Sequence, residues 1–152
     1  MTQPPTSPTR FDSRLDPPMG ADRSTVRLQV PLRHEFASTL RVVVASLGAD
    51  IGFTVDDIDD LRLAVSEVFS SFDPGADQVA VVDMAAEATT GADATGSKET
   101  AVEIRIAMSA GGAQAGSIDL DELAMTIIRA AVDEFRIDAG VVTLVKRTDD
   151  AR

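Results

Sequence analysis

One stretch restricts the fold more than any other: Ile58-Asp59-Asp60-Leu61-Arg62-Leu63-Ala64-Val65-Ser66-Glu67-Val68-Phe69-Ser70-Ser71-Phe72. Its apolar side chains fall at 58, 61, 65, 68, 69 and 72, the steps of a helix with one buried face. Thr54 stands where a cap would stand, and Asp57, three residues on, forms the acidic half of a capping box. Asp56 and Asp57 suit the positive end of the helix dipole, and Pro74-Gly75 stops the pattern. A second line, Asp60, Ala64, Glu67 and Ser71, climbs one side of the same helix. Glu67 and Ser71 are four apart, so their side chains face one small volume.

A chain of 152 residues is long enough to bury a core as one domain. That core must be aliphatic, because there are six Phe and no Trp or Tyr. Lys and Arg number 14 against 25 Asp and Glu, a net charge of −11. Such a field repels a phosphate backbone, so nucleic acid is not an expected partner. The absence of Cys excludes disulfides and thiolate chemistry, and the lone His34 excludes a clustered-His metal site. No apolar run reaches the roughly 18 residues of a membrane span, and the N-terminus carries no apolar leader. The expectation is a soluble cytoplasmic protein that is not bound to membrane.

Residues 1–22 hold five of the seven prolines, among Ser, Thr and Asp, and read as a disordered Pro-rich tail. The rest, 23–148, reads as one domain. Val26, Leu28 and Val30 alternate with Arg27 and Gln29 in a strand ended by Pro31. Phe36, Leu40, Val43, Val44 and Leu47 mark a helix from Arg33, punctuated by Gly48 and Gly52. His34, in its first turn, reads as a surface or capping residue and not as a catalytic base. After the helix at 58–72, residues 78–84 read as a strand, 85–97 as a loop without period, and 100–108 as a strand with Val102, Ile104, Ile106 and Met108 inward. A Gly-rich loop follows at 109–116. A helix is expected over 119–134, with Leu120, Leu123, Ile127, Ile128, Ala131 and Phe135 buried. Two strands close the chain, 135–138 and 140–146, turning at Ala139-Gly140, and the last charged residues read as frayed. This order suits an α+β two-layer sandwich, its helices on one face of a mixed, mostly antiparallel sheet.

The run from Asp60 to Glu67 resembles the N-box helix of the anti-sigma-factor serine/threonine kinases. These are small members of the histidine kinase-like ATPase superfamily (the gyrase, heat-shock chaperone, histidine kinase and MutL group) with the Bergerat fold. The closing segment, Ala131 to Ile137, then Gly140 and Val142 to Lys146, is similar to the family's last helix and hairpin. The resemblance spans about residues 24–147 and is most specific at the N-box. It implies that Glu67 is a general base. At the position of the family's Asn, which ligates Mg²⁺ across the ATP phosphates, this chain has Ser71. The family's Asp-x-Gly loop, which reads adenine, corresponds to Ser109-Ala110-Gly111 with Gly112 beside it. Its second Gly-rich segment, whose backbone N–H groups hold the phosphates, corresponds to Gly116-Ser117-Ile118-Asp119-Leu120-Asp121-Glu122-Leu123.

The ATP pocket implied by the resemblance is therefore Ser71, Ser109, Gly111 and Gly112, with Ser71 as the Mg²⁺ ligand and ATP and Mg²⁺ as cofactors. Each box departs from the family pattern. Serine replaces the longer Asn, the adenine-reading carboxylate is missing, and three acids stand where a triphosphate would be cradled. The expectation is a bacterial regulator of transcription that binds a sigma factor and a STAS-type anti-sigma-factor antagonist, with weakened or lost ATP binding. Kinases of this family are homodimers. The alternative is an active ATP-dependent serine/threonine protein kinase that phosphorylates the antagonist. A domain of unrelated function that shares only the αββ ending is a third reading.

Overall fold

The computed structural model describes residues 22–72, 78–92, 94–111 and 118–148. The expected tail up to residue 21, the Pro74-Gly75 stop, most of the Gly-rich loop including Gly112, and the last four residues lie outside the described residues. The elements are β1 (Asp22–Pro31), a single 3-10 turn (His34–Phe36), α1 (Ala37–Ile51), α2 (Val55–Ser71), β2 (Val79–Ala92), β3 (Lys98–Gly111), α3 (Glu122–Ala131), β4 (Glu134–Asp138) and β5 (Val141–Thr148). They form the α+β two-layer sandwich read from the sequence. The five strands run in the order β1-β2-β3-β5-β4, and every pairing is antiparallel, so the described sheet has no parallel step.

The helices cover one face. Leu40, Val44 and Leu47 of α1 and Leu61, Ala64, Val65, Val68 and Phe69 of α2 are buried. They meet the inward residues Ala80, Val82, Met84 and Ala86 of β2, Ile104, Ile106 and Met108 of β3, and Val142 and Leu144 of β5. Helix α1 runs one turn past the expected end. Gly48 lies inside it, where a Cβ would come within 3.0 Å of Ile58 Cγ1, so the missing side chain lets α1 approach α2. Gly52 ends the helix at φ 91°, a left-handed conformation that glycine adopts without strain.

Three sequence expectations change, the first being that Ser109–Gly111, read as the start of the Gly-rich loop, close β3 against Val81–Val79. Residues 85–92, read as loop, continue β2, because Ala85–Ala88 are laddered on both sides, to Thr25–Asp22 and to Arg105–Val102. Pairing on two edges overrides the weak strand preference of Ala. The closing helix is also shorter at both ends. Asp119 gives its N–H to the Ser71 carbonyl, 2.9 Å, and Asp121 caps the helix. At the far end Val132 is extended and the Asp133 N–H pairs with the Val145 carbonyl. Leu123, expected in the core, is 68% exposed. The turn at Ala139-Gly140 is as read, with φ 48° and 76°.

The opposite face of the sheet is polar. Arg147 Nε donates to Glu103 at 2.7 Å and its terminal nitrogen to Glu134 at 2.6 Å. Arg105 reaches Glu103 as well, at 3.0 Å. Among the described residues no helix is long and apolar enough to cross a membrane.

Candidate functional site

Helix α2 sets the site. Its start is the capping box read from the sequence: the Asp57 N–H donates to Thr54 Oγ1 at 3.2 Å, and the Thr54 N–H donates back to Asp57 Oδ2 at 3.3 Å. One turn on, Asp60 accepts from Lys146 Nζ at 2.9 Å. The same ammonium donates to the carbonyl of Ala131, the last residue of α3, at 3.0 Å, and lies 3.7 Å from Asp57. Lys146 is only 12% exposed at its side chain. It thus joins β5 to the N-terminal end of α2 and to the negative end of the α3 dipole.

The other end of α2 meets the approach to α3. The Ser71 carbonyl accepts from Asp119, and Phe72 bridges to Ile118. The two helices therefore run antiparallel, joined at both ends. Glu67 is half-buried between those ends and makes no hydrogen bond or ion pair with the described residues. Ser71 is 8% exposed, and its hydroxyl donates to the Val68 carbonyl of its own helix at 2.6 Å.

Ser109 and Gly111 lie in the last rungs of β3. Ser109 is paired to Val81 and Val141, and Gly111 to Val79. A Cβ at Gly111 would touch Val81 and Val79 side chains at 3.4 and 3.5 Å. Strand and helix thus bring Ser71, Ser109 and Gly111 to one end of the sandwich; Gly112 falls outside the described residues. At the start of α3, Asp121 Oδ1 accepts from the Ala124 N–H at 2.7 Å, and the Asp121 carbonyl accepts from Met125 at 3.0 Å. His34 is exposed in the 3-10 turn. It lines a shallow pocket with Leu32, Arg33, Phe69, Ser70 and Phe72, which holds none of the expected site residues. Among the described residues no group of three or more His, Asp or Glu is arranged to hold a metal.

A serine-protein kinase, RsbW, of Halalkalibacterium halodurans is 37% identical to this chain over 43 residues. Over those residues the chain is similar to RsbW. That agrees with the anti-sigma-factor kinase family read from the N-box and the closing hairpin. The RsbW match spans 28% of this chain and 26% of that relative. A solved structure of the RsbU and RsbW domains of a Mycobacterium tuberculosis protein is similar to 82% of this chain and 32% of its own, at 19% identity and a TM-score of 0.47. No family model matches the chain.

Sequence reasoning missed Lys146 and the capping role of Asp121. The signal for Lys146 was strand parity. Val142, Leu144 and Lys146 alternate, so an ammonium is aimed at the helices and must find acceptors there. The signal for Asp121 was its place three residues before Ala124, the spacing of a helix cap.

Proposed function

We propose that this chain is an anti-sigma-factor-like regulator that acts by binding a sigma factor and a STAS-type antagonist, with ATP binding weakened or lost. One observation carries the second half of that reading: the start of α3 is already occupied by acid. The resemblance assigns phosphates to backbone N–H groups there. Instead the Asp121 carboxylate takes the Ala124 N–H, and Asp119 and Glu122 stand beside it. An anion entering that turn would meet like charge and a donor already used. Ser71 adds to this, since its short hydroxyl is buried and turned back to Val68. These residues fit Mg-ATP poorly. The domain that would do the binding is residues 23–148.

The related RsbW is named a serine-protein kinase, and Glu67, half-buried and without a partner among the described residues, is the residue that favours the kinase alternative. Two measurements on the purified chain test the regulator reading. Co-purification with the host's sigma factor or STAS protein is the expected result. Recovery of neither, or transfer of labelled phosphate from ATP to the STAS protein, would overturn it.

A further inference from the structure

The seam between α2 and α3 carries a surface that the reading above leaves unassigned. On α2, Asp60 faces α3, because Lys146 links it to the Ala131 carbonyl. Leu63 and Glu67 follow at three and seven residues, on the same side of the helix. On α3, Ala131 is buried, Ile127 half-buried and Leu123 exposed, at successive steps of four along one line. Leu63 is 46% exposed and Leu123 68%. The antiparallel register, pinned at both ends, offsets these two leucines by roughly one to one and a half helical turns along the seam. Glu67 lies between their levels.

The charge around this apolar rim is of one sign. Asp119, Asp121 and Glu122 stand at its α3 end, and Asp56 beyond Leu63. Of the nearby cations, Arg62 is paired with Asp59 at 3.0 Å and Lys146 is taken up by Asp60. Arg129 lies about 120° round α3 from Leu123. An apolar line between two helices, whose unpaired charges among the described residues are carboxylates, is complementary to a helix with an apolar stripe and basic flanks.

We propose that the Leu63–Leu123 rim is a docking surface for a basic amphipathic helix of a partner protein. This rests on the regulator reading and adds to it a place and a partner chemistry. The probe is a fluorescein-labelled peptide of Leu and Lys in amphipathic helical order, titrated with the full chain and followed by anisotropy. The Leu63→Ser/Leu123→Ser double variant should bind it on the order of tenfold more weakly. Val42→Ser, at an equally exposed α1 position (68%), should bind as wild type, and so should any variant altered away from the seam. Glu67→Gln should weaken binding a few-fold, and added salt should weaken it further.

Equal binding by the double variant, or equal binding of the same peptide with Glu in place of Lys, would overturn the proposal. So would a double variant that converts a self-associated chain to monomer, since the rim would then serve a second copy. Circular dichroism checks that each variant is folded. Capture of the host's sigma factor by wild type and double variant alike would remove this surface and leave the regulator reading standing. Failure of wild type to capture either partner, with peptide binding intact, would remove the regulator reading and leave the surface.

Discussion

Over its first two turns α2 holds Thr54, Asp57 and Asp60 in bonds that close on Lys146, and through it on β5 and α3. At its last turn Glu67 has no described partner, and Ser71 bonds only its own helix by its side chain. The same helix thus ends once in a satisfied polar network and once in a half-used one. A half-buried ammonium with two acceptors and a second carboxylate 3.7 Å away is costly to disturb, because removing it leaves two carboxylates close together with no cation between them. A hydroxyl satisfied within its own helix contributes little to the fold. The polar network of this helix is concentrated at the Lys146 end, and the side chains of Glu67 and Ser71 add no hydrogen bond between elements among the described residues.

Substitutions can break that contrast, and the largest effect falls on the clamp. Lys146→Met should cost about 2–3 kcal/mol in urea unfolding and speed amide exchange in the last turn of α3. A loss under about 1 kcal/mol would mean that the clamp is a surface ion pair. Thr54→Ala removes one side of the capping box and should cost about 1 kcal/mol, read the same way. At the other end Ser71→Ala should stay within about 1 kcal/mol and Glu67→Gln within about 0.5 kcal/mol. Larger losses there would erase the contrast.

The smallest effect is on the far side of the sheet. Hydrogen bonding to Arg147, then its charge, holds the Glu134 carboxyl below the usual carboxylate range. A carboxyl lowered in the folded state adds stability above its unfolded pKa, and loses it as pH falls through the lowered value. Glu134→Gln should therefore lower stability slightly at neutral pH, leave it unchanged below the lowered pKa, and so flatten the decline below about pH 4. Acid titration monitored by circular dichroism would show it.

Much of this contrast could be read before the structure. The Thr54–Asp57 box and the α2 stripe were legible because short-range spacing encodes them. So was the order of strands and helices. The extension of β2 through Ala85–Ala92 was not, because Ala and Thr carry no period and the pairing partners are distant in sequence. Leu123 looked like core by its helical step. The line it shares with Ile127 and Ala131 rises out of the seam, and spacing alone does not say where along such a line burial stops. Helical spacing put Glu67 and Ser71 on one edge of α2, but the direction of the Ser71 hydroxyl and the cap at Asp121 depend on which backbone groups are left over once the helices are packed.

Titration calorimetry of the full chain with Mg-ATP, alongside Glu67→Ala, tests the central claim most directly. The account predicts no heat above dilution at high micromolar protein, for wild type and variant alike. A saturable heat with wild type that Glu67→Ala changes would contradict it and return the chain to the active kinases.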